Sequence, residues 1–327
     1  MNNKIIIGDK TINTRVSLAP LAGITDYVLR SLIRKHSKTC LITTEMISSE
    51  ALVQVPKCNI INRNEDHSPI AYQLSGHKPE LMARAAKILE PHADIIDINM
   101  GCPVNKVVKG QDGCALMKNT ALAADIVTAI KGSVDRPVSV KFRLGYTPDE
   151  LNYVDYGVKM QEAGADFITL HGRTRSQFYA GSADWKKIKE LKQNVTIPVF
   201  ANGDILTIDD AIECMEQSGA DGVAIGRGVL GDVTLISRIE HYFATGVKLP
   251  PPSIEERVET LKVHLLEEIK LRGENVGIKF TRKFYTYYIN SVKDASKYRV
   301  MLMHEENYDN IIRILDHLVN SSLALNL

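Results

Sequence analysis

The sequence predicts an α/β protein, a (β/α)8 TIM barrel followed by a small C-terminal all-α helical domain, on three observations. Short β-branched runs alternate with amphipathic helical patterns. One local phrase recurs at three helix-to-strand junctions: His92-Ala93-Asp94, Gly164-Ala165-Asp166 and Gly219-Ala220-Asp221. Polar residues collect at the ends of the apolar runs. Eight buried parallel strands fit a closed barrel better than an open sheet, and a barrel carries its chemistry at the C-terminal ends of its strands.

Strands are expected at 15–19, 41–45, 70–74, 95–99, 138–143, 167–171, 199–202 and 222–225. Between them Thr120 can cap a helix running to Gly132, and Thr207 one running to Gly219. The strand ends carry Glu45, Gln73, Asn99, Lys141, Arg143, His171, Asn202 and Asp204, a polar ring rather than a packed core. Residues 246–253, with Pro250, Pro251 and Pro252 in a row, read as a linker. The division is therefore a catalytic barrel over 1–245, the linker, and a helical domain over 254–327, with helical apolar spacing at 254–272 and 311–325. Lys270, Arg272, Lys279, Arg282, Lys283, Lys293, Lys297 and Arg299 are opposed there only by Glu274 and Asp294. Phe280, Phe284, Tyr285, Tyr287, Tyr288 and Tyr298 lie among them. Cations mixed with aromatics suit phosphate contacts and base stacking, and equally a solvated helix face over an aromatic core.

The bulk numbers narrow the class. In 327 residues, 44% are hydrophobic and 24% charged, as in ordinary globular proteins, and no run approaches the roughly 18 apolar residues of a membrane span. The short run Ile5 to Ile7 is too brief for the core of a signal peptide, so a cytoplasmic protein is expected. Five cysteines without C-x-x-C spacing and nine scattered histidines without H-E-x-x-H make neither a disulfide framework nor a metal site. A net charge of +1 does not by itself announce nucleic acid; only its clustering does.

Six segments can carry chemistry. The turn Ala19-Pro20-Leu21-Ala22-Gly23 ends a strand in small residues, which allow backbone N–H groups to approach a flat ring. Asn99-Met100-Gly101-Cys102-Pro103 places a thiol on a loop beyond a strand end, as for a reactive group, whereas Cys114 in the same loop reads as packing, as do Cys40, Cys58 and Cys214. Lys141, directed into a barrel mouth, calls for an anion. His171-Gly172-Arg173-Thr174 could meet a phosphate or an electron-rich ring edge. Asn202-Gly203-Asp204 and Gly226-Arg227-Gly228 follow the seventh and eighth strands, where barrels often hold phosphate at a helix N-terminus. The G-x-G-x-x-G pattern from Gly226 to Gly231 lacks the following strand and acidic residue of a dinucleotide fold.

Together these segments resemble the tRNA-dihydrouridine synthase family, most closely its bacterial B-type branch, over nearly the whole chain. The resemblance implies an FMN-binding barrel with contacts at Pro20, Leu21, Ala22, Gln73, Lys141, His171, Asn202, Gly203, Asp204, Gly226 and Arg227, the phosphate lying at the last group. It implies NADPH as reductant and tRNA as substrate. Cys102 would protonate C5 of a flipped-out uridine, Asn99 orient the base, and Lys141 stabilise negative charge. Arg272, Lys279, Arg282, Lys283, Lys297 and Arg299 would hold tRNA, with no metal and no membrane involved. Leu21 departs from a common methionine and Asn105 from a frequent proline. On this division, removing residues from 254 onward should cost tRNA binding and leave a flavin-binding barrel. Two other classes stay open: an FMN barrel acting on a free pyrimidine, like dihydroorotate dehydrogenase, and a non-catalytic RNA-binding protein. Nothing in the sequence selects the uridine, the nicotinamide or the oligomeric state.

Overall fold

A computed structural model describes residues 4–55, 68–290 and 292–323; Cys58 and the end of the last expected helix lie outside them. Eight parallel strands close a barrel: β3 (Val16–Leu18), β4 (Leu41–Thr43), β6 (Ile70–Ser75), β7 (Ile95–Asn99), β8 (Val138–Arg143), β9 (Phe167–His171), β10 (Val199–Asn202) and β11 (Gly222–Ile225). Neighbours pair in the order β4-β3-β11-β10-β9-β8-β7-β6, and β4 also pairs with β6, which closes the ring. Every expected strand is present. Three more are not in the sequence reading: the antiparallel hairpin β1 (Ile5–Ile7) and β2 (Lys10–Ile12), and β5 (Ile47–Ser48), which pairs in parallel with the end of β6. Ile5, Ile7 and Ile12 of the hairpin pack with Ile95, Phe167 and Phe200 in one apolar cluster, distinct from the main core. Ile95, Phe167 and Phe200 lie at or near strand starts, so the hairpin covers the floor of the barrel and leaves chemistry to the other end.

The recurring junction phrase has a mechanical meaning. Asp94 accepts from the N–H of Ile70, Asp166 from Val138 and Asp221 from Val199, at 2.9, 2.8 and 2.8 Å. The N–H of each aspartate also donates to the carbonyl of the same partner, at 3.0, 2.7 and 2.9 Å. Each phrase thus fastens the start of one strand to that of the preceding strand and satisfies backbone groups that the ladder leaves open.

Around the barrel lie α1 (Tyr27–His36), α2 (Ser49–Gln54), α3 (Pro79–Leu89), α4 (Asn105–Lys109), α5 (Thr120–Lys131), α6 (Tyr153–Glu162), α7 (Trp185–Asn194), α8 (Ile208–Ser218) and α9 (Leu235–Thr245). Thr207 caps α8 through a reciprocal box with Asp210, and Gly219 ends it in the left-handed conformation, as expected. For α5 the expectation shifts by one residue: the Asn119 side chain accepts from Leu122 N, and Thr120 is the first helical residue.

After the linker come α10 (Ile254–Arg272), α11 (Glu274–Tyr288), α12 (Ala295–His304) and α13 (Tyr308–Leu323). Ser253 and Glu256 form a capping box at the start of α10. The expected spacing identifies α10 and α13, while α11 and α12 coincide with the basic aromatic stretch. Phe284, Tyr285, Tyr288 and Tyr298 are buried, so most of those aromatics serve packing. A side chain at Gly277 would put its Cβ 2.7 Å from the backbone of Ile269, and this close approach joins α10 to α11. Gly277→Ala is expected to destabilise the fold by about 1–3 kcal/mol, measured by chemical denaturation; an unchanged midpoint would mean that the two helices can part freely.

No helix among the described residues is long and apolar enough to cross a membrane. Val28, Leu29 and Leu32 of α1 share one apolar core with Val258, Leu261 and Leu265 of α10 and with Ile278 and Phe284 of α11. The helical segment is therefore packed into the barrel rather than hung from it.

Candidate active site

The polar ring of the sequence becomes one cavity of about 420 Å³ at the C-terminal mouth of the barrel. Parallel pairing produces it. Because side chains alternate along a strand, Asp97 and Asn99, Ser139 and Lys141, and Thr169 and His171 point the same way, and register sets Asn99 beside Lys141 and His171 beside Asn202. All the residues expected at the cofactor line this cavity: Pro20, Leu21, Ala22, Gln73, Lys141, His171, Asn202, Gly203, Asp204, Gly226 and Arg227. So do Asn99 and Cys102.

A buried polar chain supports the thiol. Ser139 Oγ donates to Asp97 at 2.5 Å, Gln73 Nε2 to Asp97 at 2.7 Å, and Asn99 Nδ2 to Gln73 Oε1 at 2.8 Å. Asn99 Oδ1 then accepts from the Cys102 N–H at 3.0 Å and from the Gly101 N–H at 3.3 Å. Asn99 thereby holds the thiol loop, and its second amide hydrogen is left to face the cavity. Asp97 is not among the residues singled out in the sequence; the signal that marks it is the two-residue period shared with Asn99. Cys102 is half-buried, whereas Cys40, Cys114 and Cys214 are buried. Burial raises the Cys102 thiol above its ordinary value, against the pull of the Val104 N–H, Arg143 and Lys141, so the thiol keeps its proton. Burial pushes Cys114 up to about 12, an inert neighbour. Asn105 starts α4 and accepts from Arg175 through its side chain.

The mouth is cationic. Lys141 Nζ donates to Asn202 Oδ1 at 3.0 Å; burial and then the nearby Arg143 lower it to about 8. His171 is held well below its usual value by burial and by Arg143, Lys141, Arg173 and Arg227 around it, so its ring is neutral. Its Nε2 is buried without a hydrogen-bond partner. Arg143, which shares a strand face with Lys141, donates to the carbonyls of Gly101, Thr174 and Phe178 at 2.9, 3.0 and 2.8 Å.

At the end of the cavity formed by the loops after β10 and β11, Asp204 is the centre of a small network. Asp204 accepts from Arg173 at 2.8 and 2.6 Å, from Arg227 at 2.8 Å and from the Ala183 N–H at 2.8 Å. The carboxylate orients Arg227, and Arg173 is sealed inside, 1% exposed. After β11 the chain makes a short 3-10 turn, Arg227–Val229. Arg227, 40% exposed, is the cation left for an anion.

Two aromatics stand at the mouth, Tyr179, which the sequence reading did not single out, and Tyr287, which it counted only with the basic stretch. Tyr179 is exposed, with the guanidinium carbons of Arg143 and Arg227 5.7 and 5.3 Å from its ring centre. Tyr287, exposed as well, reaches the cavity from α11. No local pattern identifies either, because a loop and a distant helix bring them there.

The residues expected at RNA divide. Lys279 and Lys297 are exposed and Arg299 is half-buried. Lys279 and Arg282 lie 4.0 and 3.8 Å from Glu306, and Arg282 also donates to Glu305 O at 3.1 Å. Arg272 bonds Asp26 at 2.7 Å and Glu268 at 2.5 Å, and Lys283 donates to Gly23 O. These last two reach back to the turn before α1, Arg272 half-buried and Lys283 still exposed.

Known proteins match this arrangement. The chain is 39% identical over 320 residues, 97% of its length and 89% of the relative's, to a probable tRNA-dihydrouridine synthase 1 of Synechocystis. It is 36% identical over 307 residues, 93% and 92%, to tRNA-dihydrouridine synthase B of Pseudomonas aeruginosa. Among solved structures, an old yellow enzyme homologue from Zymomonas mobilis superposes with a TM-score of 0.52 at 14% identity, over 78% of this chain and 95% of that one. At that identity the likeness is one of fold, and it is the barrel. The family model described as Dihydrouridine synthase (Dus) matches residues 17–321, which takes in both the barrel mouth and the helices docked beside it, and on that match the chain belongs to the dihydrouridine synthase family.

Proposed function

We propose that this protein is a tRNA-dihydrouridine synthase of the cytoplasm: an FMN- and NADPH-dependent oxidoreductase that reduces the C5–C6 double bond of uridine in tRNA, with Cys102 as general acid. The observation that carries the reading is the protonated, half-buried Cys102 thiol, held by Asn99 in a cavity that also contains Lys141 and the unpartnered His171 Nε2.

The residues present fit a flavin. The small-residue turn Pro20–Ala22 offers a flat wall, His171 Nε2 offers an unused polar atom, Lys141 offers charge for an anionic ring edge, and Arg227 lies where a phosphate would end. Bound there, a flavin supplies hydride to C6 of the uracil ring. Cys102 Sγ gives its proton to C5, a task for which a thiol must be protonated at neutral pH. Asn99 keeps Sγ in place and turns its remaining amide hydrogen toward the base. Lys141 stabilises negative charge as it develops. The uridine has to leave its stack to reach a thiol this far inside, which is least costly in a loop of folded RNA. Exposed Lys279 and Lys297, with half-buried Arg299 and Arg282 beside them, bind phosphates.

The direct test is to purify the protein, record a flavin spectrum, and map dihydrouridine in tRNA from cells lacking it. A preparation that stays colourless and cannot be reconstituted with FMN, or unchanged dihydrouridine in those cells, sinks the reading. A pH effect should accompany it. Lys141 loses its charge as pH rises through about 8, so FMN affinity should weaken between pH 7 and 9, by no more than about tenfold per unit for one proton. Lys141→Met should flatten that dependence in a fluorescence titration; a slope equal to wild type would assign the effect to another group.

A further inference from the structure

Two of the cations expected at RNA instead grip the turn that lines the cofactor cavity. The turn runs from Pro20 to Asp26, just before α1. Lys283 Nζ of α11 donates to the carbonyl of Gly23, and Arg272 Nη2 at the end of α10 donates to Asp26 Oδ2 at 2.7 Å. The other Asp26 oxygen caps α1 by accepting from Leu29 N. Arg272 is anchored in turn on fully buried Glu268 at 2.5 Å. Phe280 stacks beneath both cations, its ring centre 3.8 Å from the Arg272 guanidinium carbon and 3.2 Å from Lys283 Nζ. Farther along α11, a Cβ on Gly231, which has φ +78°, would meet the Tyr287 carbonyl at 2.4 Å, so the helix backbone lies directly on the loop after β11.

We infer that Arg272 and Lys283 are positioning residues of the cofactor turn: the helical segment holds Pro20–Asp26 in its flavin-binding shape, and these two cations are the fasteners. The inference rests on the flavin reading of that turn. The turn's own bonds, Leu21 N to Thr25 Oγ1 at 2.9 Å and Ile24 N and Thr25 N to Leu21 O at 3.0 and 2.9 Å, tie Leu21 to Ile24 and Thr25 but engage neither polar group of Gly23. Gly23, exposed at the tip, is held from outside by Lys283 at its carbonyl and by Glu45 at its N–H. Removing a fastener frees the tip before any cofactor is bound, and the ordering cost then falls on binding.

The test compares Lys283→Met and Arg272→Met with Lys297→Met in the full chain. FMN dissociation constants from flavin fluorescence should rise about tenfold for the first two and stay unchanged for Lys297→Met. Amide hydrogen exchange over residues 20–26 of the cofactor-free protein should quicken in the same two. The salt dependence of tRNA binding should weaken only in Lys297→Met. Lys283→Met leaves the Asp26–Arg272–Glu268 cluster intact, so the test survives a failure of Arg272→Met to fold. Unchanged FMN affinity and unchanged exchange in Lys283→Met would overturn the inference. A wild-type protein that binds no FMN would instead sink the flavin reading, while the exchange comparison would still judge the grip.

Discussion

Cys102→Ala should keep the flavin spectrum and its bleaching by NADPH yet lower dihydrouridine formation in tRNA by about 10²–10⁴-fold, the usual worth of a positioned general acid. Alanine removes Sγ and leaves the loop's anchors untouched, because Asn99 holds the backbone N–H groups of Gly101 and Cys102 rather than the thiol. Cofactor and base sites should therefore persist, and the loss should fall on turnover. Single-turnover assays with pre-reduced enzyme separate the two half-reactions. A variant that forms dihydrouridine at the wild-type rate would remove Cys102 from the chemistry and leave water or another group to donate the proton.

The second large effect reverses an expectation. A chain ending at Ser253 should fail to give a soluble, flavin-bearing barrel. Val258, Leu261, Leu265, Ile278, Phe284, Tyr285 and Tyr288 are buried in the same core as Val28, Leu29 and Leu32 of α1. Each such side chain contributes about 1.5–3 kcal/mol on burial, against a net stability of about 5–15 kcal/mol for a typical domain. The truncation also strips the grip from the cofactor turn and uncovers Gly231. Near-ultraviolet circular dichroism and retained FMN after gel filtration would measure it; a monomeric yellow barrel would restore the two-domain division at 246–253. RNA binding is better probed by Lys279, Lys297 and Arg299, whose loss leaves the core intact.

The strands were legible because they are short β-branched runs that alternate with amphipathic helical patterns. The junction aspartates were legible as a repeat but not as fasteners, since their partners lie one βα unit back in the chain. The hairpin Ile5–Ile12 was missed because three-residue strands carry too little periodicity. The basic stretch misled in part: composition counts Arg272 and Lys283 with Lys297, while the fold engages the first two with the turn before α1.

By itself the sequence determined the barrel, the family resemblance and the set of side chains at the mouth, since strand alternation and strand ends are local properties. Only the tertiary structure decided that Asp204 pairs with Arg173 and Arg227, that Asn99 secures the thiol loop, and that α10 and α11 reach the turn beside the cavity. Each depends on distances between residues far apart in the chain, and those are set by how the elements pack.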